Sequence, residues 1–371
     1  MSRTLTAYEF FAGGGMARLG LGPAWRVAFA NDFDPVKAAT YRANHGEGHF
    51  QEGDVWALSA ADLPGQADIA WASSPCQDFS LAGARAGLSG GRSSAFFGFW
   101  ELMQALDAEG RAPPTIVIEN VVGLLTSHGG ADFAALCRVL ADAGYRFGAL
   151  EIDAAHFLPQ SRPRVFVVAT RADGAGLTGT SPFHTRAVAK AHAALPDDLK
   201  TQWRWWSLPA PPARNTDLAA LLEPDADVRW HPPARTAALL SMLSPLHRAR
   251  LEAIQKTGER RVGGVFRRMR GTEQRAEVRF DGLAGCLRTP RGGSSRQSLL
   301  VIEGDSVRSR LITAREGARL MGLPDSYQMP KAATGGLHVV GDGVAVPVVR
   351  WLAAHLLEPL ARDRTALVAA E

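Results

Sequence analysis

Cysteine is scarce in this chain of 371 residues: Cys76, Cys137 and Cys286 are too few and too scattered for a disulfide framework or a cysteine-rich zinc site. They suit a reducing compartment in which a thiol stays free. Long apolar runs are missing as well. No segment approaches the roughly 18 residues that a membrane span needs. The opening Met1-Ser2-Arg3-Thr4-Leu5-Thr6 lacks the charged-then-apolar order of a secretion signal. A cytoplasmic protein with no membrane partner is therefore expected. No metal is expected either, because His45 and His49 flank Glu47 without the order of a zinc-protease motif and read as a surface loop.

Net charge is also small, at +4, while 46% hydrophobic and 21% charged residues rule out a disordered or collagen-like chain. The charge is unevenly placed. Between Arg248 and Arg310 there are 15 Lys and Arg against 7 Asp and Glu, a block of net +8 that leaves −4 on the remainder. Such a block fits a polyanionic partner held through one region, although a solvated Arg-rich surface has the same composition.

What is present is an alternation of strands and helices over residues 1–172. Thr4–Phe11 reads as a strand ending in Ala12-Gly13-Gly14-Gly15, and Trp25–Ala30 as a second ending at Asn31-Asp32. Asp34 and Pro35 suit the cap and first position of a helix running to Asn44. Asp68–Ala72, Thr115–Ile118 and Val165–Ala169 read as further strands. Crossover units of this kind predict an α/β domain with a doubly wound, mostly parallel sheet, whose ligands sit beyond the carboxyl ends of the strands. Residues 173–324 read as a smaller, irregular and β-rich domain, with Trp203–Trp206 in its core and helical periodicity returning near Thr313. Residues 325–371 read as a segment returning to the first domain, with a last helix over Val346–Leu357.

The polar clusters fall at the strand ends. A glycine turn opening a helix lets a ligand approach the backbone, though a structural turn looks the same. Asp32, about 20 residues later, stands where a carboxylate accepts from a ribose diol. Phe33 can lie on an adenine face, and Asp54, after Gly53 at an expected strand end, can accept from its amino group. The absence of full G-x-G-x-x-G spacing favours an adenosyl ligand without a pyrophosphate. Pro75-Cys76-Gln77 places a thiol where a helix N-terminus or nearby Arg can stabilise the thiolate; a structural Cys is the alternative. The stretch Ala82–Gly98, with five Gly plus Arg85 and Arg92, has the composition of a lid or of a plain exposed loop. Glu119 closes an apolar strand, where it can donate a proton to a ring nitrogen or be satisfied by backbone N–H groups. Arg162 and Arg164 alternate along a strand entry and so are expected on one face, for a substrate carbonyl and a carboxylate or as a surface ion pair.

Taken in series, these motifs resemble a DNA (cytosine-5)-methyltransferase. Phe11-Ala12-Gly13-Gly14-Gly15 resembles the family's cofactor turn and Pro75-Cys76-Gln77 its nucleophile motif. Glu119-Asn120-Val121 and Gln160-Ser161-Arg162-Pro163-Arg164 resemble its base-contacting motifs. Arg288–Gln297 and Thr313–Pro324 resemble the end of its target-recognition region, and Gly341–Pro347 its last cofactor motif. Two positions depart from the family: Gly15-Met16 stands for a Gly pair, and Asp342 for an Asn.

The resemblance implies methyl transfer from S-adenosylmethionine to C5 of a flipped-out cytosine in a specific duplex DNA sequence, with S-adenosylhomocysteine as product and Cys76 adding to C6. Catalytic roles are implied for Cys76, Glu119, Arg162 and Arg164. Cofactor contacts are implied for Phe11, Gly13, Gly15, Asp32, Phe33, Asp54, Val55, Gly343 and Val344. DNA contacts are expected at Gln77, Ser80, Arg85, Arg267, Arg268, Arg270, Arg291, Ser294 and Arg296. A bacterial-type, nucleoid-associated monomer is implied, with a restriction endonuclease as candidate partner. The same chemistry on transfer RNA, or a DNA-binding protein that has lost catalysis, are the alternatives.

Overall fold

Leu5, Ala7, Tyr8 and Phe10 are all at most 1% exposed, so the first strand is covered on both faces, as only a sheet lined by helices on each side allows. A computed structural model describes residues 3–74, 95–289 and 297–368, with the backbone alone at 268–270 and 364–368. The chain folds as two units: residues 1–153, 163–212 and 344–371 form one, and residues 154–162 and 213–343 the other.

The first unit starts with β1 (Leu5–Phe10), α1 (Met16–Leu21), β2 (Trp25–Asp32), α2 (Pro35–His45), β3 (Phe50–Glu52) and β4 (Ile69–Ala72). It continues with α3 (Ala95–Ala108), β5 (Thr115–Val121), α4 (Ala131–Asp142), β6 (Arg146–Asp153) and β7 (Pro163–Thr170). Its seven strands run in the order β3-β2-β1-β4-β5-β7-β6. β7 is antiparallel to both β5 and β6, and the remaining pairs are parallel. The chain winds outward from β1 through β2 to β3, then returns to β1's other side with β4. That reversal opens a crevice between the carboxyl ends of β1 and β4, the usual ligand position in such sheets.

One sheet face carries Phe10, Ala72, Ile118 and Val167 against Phe99, Met103, Phe133 and Leu140 of α3 and α4. The opposite face is equally buried, and Trp71 and Phe166 meet there with ring centroids 6.1 Å apart. Strand β6 escaped the sequence pattern, and of β3 only the end at Gly53 was expected. β3 has only three residues, two of them exposed, and β6 is interrupted by Gly148. The glycine-rich stretch expected to reach Gly98 is helical from Ala95, with Phe96 and Phe99 in the core.

Residues 171–245 are largely irregular and hold no long helix, as expected, with short helices such as α5 (Arg186–Ala193) and α6 (Asp197–Gln202) where β-like segments were also expected. Alanine favours helix, and the Thr185 hydroxyl caps α5 by accepting from Val188 N. Trp203 belongs to the core of this larger unit, not to the smaller one; Trp206 is fully buried there and donates to the Val168 carbonyl at 3.0 Å.

In the second unit, α7 (Pro233–Ser241) and α8 (Pro245–Gln255) precede four antiparallel strands. These are β8 (Arg261–Arg270), β9 (Glu273–Arg279), β10 (Ser298–Glu303) and β11 (Ser306–Leu311), in the order β11-β10-β8-β9. Leu239, Leu243 and Leu251 pack on Val265, Ala276, Leu300 and Ile302 of the sheet. α9 (Ala314–Leu320) opens with a capping box between Thr313 and Glu316, and α10 (Ala333–Asp342) follows. Glu316 is fully buried and takes two hydrogen bonds from Arg310, at 2.6 and 2.7 Å.

The chain re-enters the first unit with α11 (Val346–Leu352). Residues 333–363 are apolar enough to pass for a membrane span by length and composition. Val349, Leu352, Leu356 and Leu357 are nevertheless core residues at 0% exposure, and Arg350 donates to the Leu19 carbonyl at 2.8 Å.

Candidate active site

The turn after β1 is held open by left-handed backbone at Phe11, Gly13 and Gly15, with φ of 56°, 56° and 79°. For Phe11 that conformation carries strain, and such strain gathers at ligand sites. Asp32, 5% exposed at the end of β2, accepts from Gly13 N at 2.8 Å through one oxygen and from Asp34 N at 2.9 Å through the other. Burial raises its carboxyl pKa, and Lys37 and the two backbone donors pull the other way. Each oxygen keeps a lone pair for a further donor such as a ribose hydroxyl.

Beside it, Phe33 is 67% exposed, an unusual posture for a large apolar ring. Asn31 ties the end of β2 to the next turn by donating to the carbonyls of Gln51 and Gly53, both at 3.0 Å. That brings in Asp54, exposed and accepting from Trp56 N at 3.1 Å, and Val55, buried at 3% exposure. A Cβ on Gly13 would meet no heavy atom within 4 Å. The turn thus offers open space flanked by an acceptor carboxylate, an exposed ring and a second carboxylate, a set suited to an adenosyl group.

Two strands away, Glu119 and Arg164 come together. Val121 of β5 is paired with Arg164 of β7, so Glu119, two residues earlier, shares Arg164's face. Arg164 Nε lies 3.2 Å from Glu119 Oε1, with the side chains 15% and 8% exposed. Asn120, on the alternate position, donates from Nδ2 to the Ser74 carbonyl at 3.0 Å. Ser74 follows β4 and stands two residues before Cys76. Cys76, Gln77, Ser80, Arg85, Arg291, Ser294 and Arg296 lie outside the described residues.

Arg162 does not share Arg164's face as expected, because β7 begins only at Pro163. Its guanidinium, 1% exposed in the second unit, donates to the carbonyls of Leu287 at 2.9 Å, Gly341 at 2.8 Å and Gly343 at 2.6 Å. Gln160, fully buried, donates to the Leu320 carbonyl at 2.7 Å and accepts from Leu287 N at 3.1 Å. These two side chains clamp backbone groups of the second unit. Gly343 is held by that clamp, Val344 is buried at 4% exposure and Asp342 is exposed. In β8, Arg267 stands opposite Ala276, Arg268 opposite Arg275 and Arg270 opposite Glu273. Among the described residues no group of three His, Cys, Asp or Glu side chains could hold a metal ion.

A profile of the C-5 cytosine-specific DNA methylases matches residues 5–358, nearly the whole chain. The chain belongs to this family. It is an enzyme that methylates cytosine at C5. Among its relatives, the type II methyltransferase M1.ScrFI of Lactococcus lactis subsp. cremoris is 26% identical over 96% of this chain and 79% of its own. The type II methyltransferase M.NlaX of Neisseria lactamica is 26% identical over 94% of this chain and 95% of its own. The fold is shared with the S. pombe Dnmt2 methyltransferase, at TM-score 0.61 and 19% identity over 96% of this chain and 99% of that one. It is shared too with the Entamoeba histolytica methyltransferase EhMeth, at TM-score 0.62 and 13% identity over 97% and 99%.

Beneath this C5 methyltransferase's glycine turn lies a polar cluster that sequence reasoning missed. Glu9 of β1 is 1% exposed and accepts from Arg18 N at 3.3 Å and from Tyr41 Oη at 3.4 Å. Burial pushes its carboxyl up to about 8, against the opposing pull of Arg18. Arg18 Nη1 also reaches His49 Nε2 and donates to Tyr41 Oη, and the Tyr41 ring contacts both His45 and His49. Burial, with Arg18 close by, drives His45 down to about 4 and lowers His49. His45 therefore ends α2 against the turn, and His49 joins the Arg18–Tyr41 cluster, where a solvated loop was expected for both. The signals were available: a lone acid in an otherwise apolar strand, and Tyr41, His45 and His49 four residues apart.

Proposed function

We propose that this methyltransferase uses S-adenosylmethionine to methylate C5 of a cytosine flipped out of a specific duplex DNA sequence, through a covalent bond from Cys76 to C6. The observation that carries the reading is the Glu119–Arg164 pair, 3.2 Å apart, beside an Asn120 that holds the residue leading into Pro75-Cys76.

C5 of cytosine is a poor nucleophile within the intact ring. Addition of the Cys76 thiolate to C6 makes C5 enamine-like, while Glu119 stabilises a proton on N3 and Arg164 holds O2. The turn from Phe11 to Gly15, with Asp32, Phe33, Asp54 and Val55, would hold the cofactor. When bound, S-adenosylmethionine supplies the electrophilic methyl group that C5 takes up. A base, for which water suffices, then takes the C5 proton as the C6–S bond breaks and Cys76 leaves as thiolate, which restores the ring. Because these atoms are inaccessible inside a duplex, the base must leave the stack, at a cost of a few kcal/mol. Phosphate contacts from the basic block, Arg291 and Arg296 among them, offset that cost.

The first unit is read as the catalytic and cofactor-binding part and the second as the target-recognition part. Type II relatives favour duplex DNA as substrate, a cognate endonuclease as partner and a cytoplasmic location. The enzyme is read as a monomer. With labelled S-adenosylmethionine, the purified protein should label duplex DNA and the Cys76→Ala variant should not. Labelling by that variant removes Cys76 from the mechanism, and faster labelling of transfer RNA than of DNA reassigns the substrate.

A further inference from the structure

The cofactor turn has a far side that the proposed chemistry does not use. Gly15 caps α1 in left-handed conformation, and its α-carbon faces the end of α2. A Cβ there would stand 2.3 Å from His45 Cδ2, 2.4 Å from His45 Nε2 and 2.9 Å from Tyr41 Cε2. The imidazole thus fills the space that a side chain on the turn would occupy. Tyr41 buttresses the ring at 5.0 Å between centroids. Around it stand Arg18 from α1, Glu9 from β1 and His49 from the loop after α2, with Asp32 at the end of β2 holding the turn's other limb at Gly13.

We propose that His45 is a positioning residue for the cofactor: wedged under Gly14 and Gly15, it fixes the backbone of the glycine turn in the shape that receives the bound ligand. The wedge works as a neutral ring. Its protonation is suppressed by burial and by the Arg18 guanidinium, so the turn is not pushed by a second cation at neutral pH. A turn with three left-handed residues is costly to hold in one conformation, and a rigid support on its buried side removes that cost from the binding step. His45 acts through the backbone it supports, so its effect should fall on cofactor affinity and not on the chemical step.

The inference rests on the reading of this turn as the cofactor seat, and calorimetric titration with S-adenosylhomocysteine separates the two. Failure of the wild-type protein to bind overturns both. With binding established, His45→Ala should raise Kd and the cofactor KM at least tenfold, leave kcat at saturating cofactor within about threefold, and keep a cooperative thermal transition. His45→Gln, which retains a polar group near the ring's far end, should return Kd to within about threefold of wild type. Removing the imidazole should also relieve the two shortest contacts built into Gly15→Ala, leaving that to Tyr41 Cε2, so the double variant should bind more tightly than Gly15→Ala alone. An unchanged Kd in both His45 variants, or a loss confined to kcat, overturns the inference. If His45→Ala does not fold, His45→Ser takes its place: at least tenfold weaker binding with unchanged kcat supports the inference, and a wild-type Kd or a loss confined to kcat overturns it.

Discussion

Replacing Glu9 by Gln should make the protein progressively more stable than wild type as pH rises. The side chain is 1% exposed, and its two contacts, from Arg18 N at 3.3 Å and Tyr41 Oη at 3.4 Å, are long. They compensate little of the cost of burying a carboxylate, so the folded state holds the proton to about 8, against an ordinary 4.5. Below pH 4.5 both folded and unfolded chains carry the proton, and the group makes no difference to pH dependence. Between 4.5 and 8 the unfolded chain releases it while the folded one retains it. The folded state then binds more protons, and stability falls with rising pH. At about 1.4 kcal/mol per pH unit the wild type loses about 5 kcal/mol across that window, with no further loss from this group above it.

Gln has the same shape and no proton to lose. Other titrating groups contribute equally to both proteins, so the difference between two urea-unfolding series from pH 5 to 9 isolates Glu9. The variant's advantage should grow through the neutral range and level off above pH 8. Parallel stability curves would refute the reasoning, since they would mean that Glu9 titrates alike in both states.

Removing one partner of a buried ion pair strands the other's charge, so Glu316→Ala should cost about 3–5 kcal/mol in chemical denaturation, and Arg310→Met with Glu316→Leu should recover most of it. Arg162→Ala releases three backbone carbonyls at once. Amide exchange at residues 284–289 and 341–343 should accelerate at least tenfold, with little change in β1–β5. Asn120→Ala cuts the tether to Ser74; kcat should fall about ten- to a hundredfold while stability changes by no more than about 2 kcal/mol. Unchanged exchange in Arg162→Ala would argue against the clamp, and unchanged kcat in Asn120→Ala against the tether.

The fold's central strands were legible because a sheet buried on both faces demands near-continuous apolar runs, as in Ile69–Ala72 and Thr115–Ile118. The carboxyl-end motifs were legible because polar residues directly after such runs have few structural uses. What stayed hidden was set by tertiary context. β3 is three residues long and depends on Asn31 reaching across to Gln51 and Gly53. Arg162 and Arg164 look equivalent in the sequence, yet the strand starts between them and sends one to a backbone clamp and the other to Glu119. The Trp203–Trp206 segment follows the domain's apparent end in composition but packs back on Phe133 and Phe147. Histidines gave no apolar periodicity to follow; the spacing of Tyr41, His45 and His49 hinted at a cluster, and the close approach of His45 to Gly15 shows what it packs against.

The central claim is covalent catalysis by Cys76 on cytosine in DNA. A duplex carrying 5-fluorocytosine at the target position tests it most directly, because elimination requires loss of a C5 proton that fluorine replaces. The target is first located by bisulfite sequencing of DNA from expressing cells. Incubated with enzyme and S-adenosylmethionine, that duplex should yield a denaturant-stable adduct whose mass maps to the peptide containing Cys76. Active enzyme that methylates the ordinary duplex but forms no adduct with the fluorinated one would contradict the account.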